Sequence, residues 1–207
     1  EEIKRSSQRA APNTPEFKRW FGDSQVVDGS GNPLVVYHGT YSNDFSEFEP
    51  GRAGGMYFSP NKSHAVQSYG PRVVEAYLSI QKLADLTDTN SAAYKLAVKT
   101  FNDEGGWSDN LDAMDERTSP NFDPSTDFTW EIFDNPTTDI GRALLAAGYD
   151  GLKLNEFSDE VSFVVFSPNK IKSATGNNGE YSQTNNNITK SSQRAAPTTP
   201  AFKRFFG

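Results

Sequence analysis

Leu34-Val35-Val36-Tyr37-His38-Gly39-Thr40 is an apolar run that passes directly into a histidine, a glycine and a hydroxyl residue. Its branched and aromatic residues predict a short buried strand, with His38 where the strand ends. A strand end beside a cleft fixes a polar side chain, and a glycine there lets a ligand approach the backbone. Histidine has two ring nitrogens, so one can bond the protein while the other addresses a ligand. On these residues alone, a ligand site and a plain strand end running into a turn are both open.

Upstream, Ser24 to Val27 reads as a short strand and Asp28-Gly29-Ser30-Gly31-Asn32-Pro33 as a dense turn signal, so this segment and the His38 strand read as a hairpin. Downstream, Phe45 and Phe48 sit in a polar loop as anchors to the core. Gly54-Gly55 leads into a short strand through Tyr57 that stops at Ser59-Pro60. The glycines lack the spacing and the lysine of a phosphate-binding loop. Asn61 to Tyr69 predicts a helix capped by Asn61, with Ala65 and Tyr69 on one face and Gly70-Pro71 at its end. His64 lies on this helix and reads as exposed rather than as a ligand. Val73 to Ile80 alternates like a strand, Asp85 to Asp88 reads as a turn or loop, and Ala92 to Phe101 as a helix.

The interval of about 102–136 is acidic and polar but carries Trp107, Phe122, Phe128, Trp130 and Phe133. It reads as an insertion with short helices. Thr137 or Thr138 caps a helix through Ala147, with Ile140, Leu144 and Leu145 inward and Gly148 at its end. Tyr149 to Leu154 predicts a strand. Val161 to Phe166 is the strongest strand signal and reads as central; Ile171 to Ala174 is a short return. Beyond Gly176 the composition of Asn, Gly, Ser, Gln and Thr predicts a linker. Strands and helices do not alternate regularly, which argues for an α+β fold with small antiparallel sheets rather than a doubly wound parallel sheet.

At 207 residues the chain suits one domain with tails. A low hydrophobic fraction of 35% is partly offset by 15 phenylalanines. The net charge of -7 argues against a broad nucleic-acid surface, though not against a local basic groove. Without cysteine there is no disulfide, thiol nucleophile or cysteine zinc site. Two histidines far apart, without a clear carboxylate partner, make a poor zinc site, so no metal is expected. No apolar run is long enough to span a membrane, and the N-terminus does not read as a signal peptide. The absence of an initiator methionine and the patterned sequence at both ends suit a piece of something longer.

Residues 6–22 recur as residues 191–207 without a gap, differing at Asn13/Thr198, Glu16/Ala201 and Trp20/Phe205. Tandem domains, each opened by this segment, explain the repeat better than a recurring linker between unlike domains. Thr14-Pro15 followed by Glu16 to Phe21 reads as a capped helix start ended by Gly22. The organisation expected is a flexible leader (1–14), one domain (15–177), a linker (178–190) and the repeated segment (191–207), which opens a second domain or docks where the first copy docks.

Tyr37-His38-Gly39-Thr40, Gly55-Met56-Tyr57-Phe58-Ser59, Ala65 through Tyr69, Gly148-Tyr149-Asp150-Gly151, Val164-Val165-Phe166-Ser167-Pro168 and Ile171-Lys172-Ser173-Ala174 occur in this order. Together with the lead-in Phe17 to Ser24, the set resembles the mono-ADP-ribosyltransferase domains of phage and mobile-element polyvalent proteins. These are distant relatives of diphtheria-toxin-like enzymes and poly-ADP-ribose polymerases. Each motif is weak alone, and the ordered set is more specific. The resemblance implies a split core of two small, mainly antiparallel sheets with peripheral helices. It also implies NAD as co-substrate, a host protein rather than nucleic acid as acceptor, and a virion-associated or host-delivered location. By the same resemblance His38 holds the nicotinamide-side ribose, Gly39 pairs through its backbone with the carboxamide, and Thr40 contacts the adenosine side. Tyr57 stacks on nicotinamide and Tyr69 closes its other face; the plain alternative is that both tyrosines are core aromatics.

The resemblance further implies a glutamate at the head of the last core strand, where this chain has Ser162. Glu160 lies two residues earlier on the same face if the strand starts early, and is the expected acid, with Asp159 and Glu156 as alternatives. The two-acid spacing of arginine-specific toxins is absent. The competing readings are a degenerate structural or binding module of a phage polyprotein, with these acids merely solvated, and an NAD glycohydrolase.

Overall fold

Strand β1 (Val36–Thr40) grows out of the apolar run and lies at the edge of a three-stranded sheet. The computed structural model describes residues 11–42, 46–49, 55–103, 140–156, 160–179 and 181–189. β1 pairs antiparallel with β3 (Arg72–Leu78), and β3 pairs antiparallel with β7 (Ile171–Ser173). The second sheet runs β2 (Met56–Phe58), β6 (Val161–Val165), β5 (Gly151–Asn155), β4 (Leu83–Asp85). Its β2–β6 and β6–β5 pairs are antiparallel and β4–β5 is parallel. The sheets meet where Tyr37 and Ser59 exchange backbone hydrogen bonds of 2.8 and 2.9 Å. The fold is thus α+β, with a split core of two small, mostly antiparallel sheets.

The helices follow their local chemistry. α1 (Pro15–Phe21) starts at Thr14, whose hydroxyl accepts from the Phe17 amide at 3.2 Å, and stops at Gly22 with φ of 55°. Seven residues are too few for an independent helix. Burial of Phe17, Trp20 and Phe21 against Val35 and Tyr77, at roughly 2–3 kcal/mol per side chain, holds it in place. α2 (Lys62–Tyr69) is capped by Asn61, whose side chain accepts from the Ser63 and His64 amides. α3 (Ala92–Asp103) begins at Ser91, whose hydroxyl accepts from the Tyr94 amide at 2.9 Å. α3 and α4 (Ile140–Ala146) pack over β4 and β5 in one apolar cluster that includes Ala97, Ile140, Leu144 and Leu152. A second cluster, with Val36, Phe58, Ala76 and Val165, fills the space between the sheets.

The Gly148-Tyr149-Asp150-Gly151 motif serves the fold. Gly148 has φ of 85° beyond α4, a conformation costly for other residues. The Asp150 carboxylate accepts from the Gln81 and Lys82 amides and from Lys170. Gly151 lies where a Cβ would sit 2.6 Å from Ile80.

Several expectations change. Ser24–Val27 is not a paired strand: only Val27 bridges Pro33, and β1 takes β3 as its partner. His38 lies mid-strand opposite Val74, because pairing with β3 extends β1 through Thr40. Asp85 closes a strand and Leu86 is buried, its amide donating to Lys153 at 2.8 Å, so the turn begins only afterwards. Leu145 is 48% exposed, because only the Ile140–Leu144 stripe of α4 reaches the core. The polar stretch 181–189 is packed: Ile188 is buried, Tyr181 meets Phe17 and Trp20, and Lys172 donates to the carbonyls of Asn185 and Asn187 at 2.6 and 2.8 Å. Phe48 anchors its loop against His38 and Phe58. Phe45, the aromatic residues of the 102–136 interval, Thr137, Thr138, Asp159 and the 191–207 repeat lie outside the described residues.

Candidate active site

His38, Tyr57 and Tyr69 converge where β1, β2 and α2 meet. Strand alternation turns His38 inward, with Phe48 and Phe58 at ring-centroid distances of 4.9 and 5.4 Å. Its Nδ1–H donates to the Tyr57 carbonyl at 2.8 Å. That bond fixes the neutral tautomer and leaves Nε2 as an acceptor. Burial pushes the His38 pKa below its ordinary value, against the opposing pull of the Tyr57 carbonyl.

Gly39 is placed by two constraints. A Cβ there would lie 2.0 Å from the Ala65 carbonyl oxygen, so the glycine lets α2 seat on β1. The expectation of glycine as a ligand's approach is thus joined by a packing cause. Its backbone faces elsewhere. Tyr37 directs its N–H and C=O to Ser59, and strand geometry turns those of Gly39, two residues on, to the same edge beyond that bridge. The Thr40 hydroxyl accepts from the Ser42 amide at 3.1 Å.

The aromatic pair is close but not parallel. Tyr57 and Tyr69 are 6.3 Å apart at 41°, whereas His38 and Tyr69 are 6.3 Å apart at 5°. A flat ring between two others needs roughly 7 Å between their centroids, twice a carbon contact of about 3.5 Å. A nicotinamide between Tyr57 and Tyr69 therefore requires the phenols to part by about 1 Å and flatten.

The carboxylates separate sharply. Glu160 accepts from the Asn61 side-chain amide at 2.9 Å, beside the cap of α2. Glu156 is only 6% exposed. Its Oε1 accepts from the Tyr69 hydroxyl, and its Oε2 bonds His64 Nε2 at 2.5 Å. Burial first, then Glu156, raises the Tyr69 pKa far above its ordinary value, so the phenol stays a donor. Ser162 is fully buried; its hydroxyl makes no hydrogen bond of good geometry, yet it lies near enough to the Tyr69 phenol to favour the phenolate slightly. His64, expected to be exposed, has a side chain only 10% exposed. Its partner lies 92 residues away, so nothing local in the sequence signals the contact.

A family model described as "ADP-Ribosyltransferase in polyvalent proteins" matches residues 28–181. No curated protein matches the chain significantly. A solved structure described as "Crystal structure of an anti-CRISPR protein" aligns at 17% identity over 67% of this chain and 91% of its own, with a TM-score of 0.39, too low to carry weight. The family match omits α1 and residues 182–189, although Trp20 and Ile188 are both buried. A split pair of sheets, the ordered motifs that build it and a match across most of the chain have one explanation: the chain belongs to the ADP-ribosyltransferase family of polyvalent proteins.

Proposed function

We propose that this domain cleaves NAD at the nicotinamide–ribose bond and transfers the ADP-ribose to a host macromolecule, a protein in preference to nucleic acid. The observation that carries the reading is His38, pinned through Nδ1 to the Tyr57 carbonyl within reach of both tyrosines. Neutral Nε2 can accept from a ribose hydroxyl, and the edge-facing backbone of Gly39 can pair with the carboxamide. Tyr57 and Tyr69 then hold the ring, and Thr40 lies toward the adenosine side. These groups orient the substrate before bond breaking. As the bond breaks, positive charge grows on the ribose and nicotinamide leaves neutral. A carboxylate from the segment joining β5 to β6 opposes that charge.

The net charge of -7 disfavours a polyanionic acceptor at long range and supports a protein. Among the described residues no helix is long and apolar enough to cross a membrane, which fits action from a particle or inside a host. Labelled NAD incubated with host lysate is expected to leave covalent label on protein. A folded sample that neither releases nicotinamide nor labels anything would overturn the proposal. Two observations favour a second reading, a degenerate binding module: Ser162 occupies the strand position where the resemblance implies an acid, and the tyrosines stand closer than a ring needs. Turnover separates the two, because an inactive module can still bind NAD. Nicotinamide release without label would indicate hydrolysis instead.

A further inference from the structure

We infer that Glu156, delivered from the end of β5, is the acid of this site, and that His64 on α2 positions it. The inference rests on the NAD-cleaving reading above.

The register of the second sheet brings the acid there. Leu154 pairs with Ser162 and Asn155 with Val161. The Glu156 amide donates to the Glu160 carbonyl at 2.6 Å, which continues the ladder by one step. Side chains two apart share a face, so Glu156 lies on the side of Leu154 and Ser162. Glu156 therefore enters, from the neighbouring strand, the space that a long residue at position 162 would fill. Ser162 is small and fully buried, which leaves that space open. Two carboxylates so close could not both stay ionised, so a serine at 162 and a glutamate at 156 suit each other.

A buried carboxylate is costly unless its oxygens are held. The Tyr69 hydroxyl holds one and the His64 ring the other. Each oxygen keeps a further acceptor site, which can take a ribose hydroxyl. The charge is thus oriented before any cation forms, which is the condition for electrostatic stabilisation. Glu160 instead spends its carboxylate on the Asn61 side chain at the start of α2. In the reaction, the ribose C1′–N bond breaks and its electron pair leaves with nicotinamide. The acceptor's lone pair forms the new bond at C1′, and the acceptor's proton passes to Glu156 and on to water.

The test uses the full chain, single-turnover nicotinamide release and NAD affinity by calorimetry. Glu156→Gln is expected to slow release about a hundredfold with affinity changed only a few-fold. Glu160→Gln is expected to keep the parent rate. Glu156→Gln combined with Ser162→Glu returns a carboxylate to the same space from β6 and is expected to recover part of the rate. His64→Leu is expected to slow release roughly tenfold, the loss of one hydrogen bond to a charged group. His64→Gln, which keeps a donor, should restore most of that loss; equal damage by both would remove His64 from the assignment. Should Glu156→Gln unfold, Glu156→Asp withdraws the charge by one methylene: slower release at parent affinity upholds the assignment, and an unchanged rate overturns it. Slow Glu160→Gln with normal Glu156→Gln overturns it while leaving the NAD reading intact. A parent protein that releases no nicotinamide removes both.

Discussion

Gly39 and Ala65 approach so closely that a Cβ on Gly39 would lie 2.0 Å from the Ala65 carbonyl oxygen and 2.9 Å from that of Gly70. Both neighbours are backbone, so no side chain can swing away. Gly39→Ala must push α2 off β1, and α2 carries Tyr69 and His64. We expect a loss of about 3 kcal/mol or more in stability, together with loss of NAD binding. Gly31→Ala is the control. Its φ of 81° makes alanine strained, but nothing lies within 4 Å of its Cβ position, so it should cost about 1 kcal/mol and leave NAD binding intact. Chemical denaturation and calorimetry on both variants check the contrast; equal effects would mean that the α2 contact is not the constraint at Gly39.

The lowered pKa of His38 gives a pH signature. An unfolded histidine takes up a proton near its ordinary pKa of 6.5, while the buried ring resists it. As pH falls below about 6.5 the unfolded chain therefore binds more protons, and folded stability declines. NAD affinity should hold through that point and fall only as pH passes the lower folded-state value, where Nε2 changes from acceptor to donor. His38→Gln should flatten this part of the stability profile, and the difference between the two profiles isolates His38 from His64. Affinity that rises on acidification would contradict the neutral-acceptor role.

The order of strands and helices around His38 was legible because each carried its own punctuation. Asn61 caps α2, Thr14-Pro15 opens α1, and the run of β6, apolar except for Ser162, marks an interior strand. What escaped lacked a local signal. β4 is three residues long, too short to show alternation, and its partner β5 is remote in sequence. The 181–189 stretch is polar by composition, yet a single isoleucine and a single tyrosine anchor it, and Lys172 satisfies its carbonyls. At the candidate site, the motif order named His38, Tyr57 and Tyr69, and their rings come together. The contact of His64 with Glu156 could not be named so, since strand register, not spacing, brings them together.

Trp20 tests whether α1 belongs to the domain. Its indole is 1% exposed and its N–H donates to the Asn169 carbonyl at 3.1 Å. Trp20→Phe installs the residue that the second copy of the segment carries as Phe205. It removes that bond, worth about 1 kcal/mol, and leaves a gap costing about another 1 kcal/mol. For a chain of this size, ~2 kcal/mol corresponds to a Tm lower by roughly 4–8 °C. An unchanged Tm would mean that α1 is seated by Phe17 and Phe21 alone.

Lys172 links the sheet to the 181–189 segment, and its charge makes the link titratable. The side chain is fully buried, and burial lowers its pKa to about 8, with Glu47 opposing the shift. Above about pH 8 the folded chain has released a proton that the unfolded chain keeps until near 10.5. The unfolded state binds more protons across that window, so stability contributed by this residue rises with pH there. A neutral amine still has two N–H donors for the Asn185 and Asn187 carbonyls, so the segment stays seated. Lys172→Met removes both donors and the buried charge together. The two effects oppose each other, so the global Tm should move little at neutral pH, while the segment itself loosens. Hydrogen exchange should quicken at the amides of Ile188 and Ser173, whose partners are the Ser46 and Ile188 carbonyls. Between about pH 8 and 10.5 the parent should gain stability over the variant. Unchanged exchange at those two amides would show that Ile188 burial, rather than Lys172, holds the segment down.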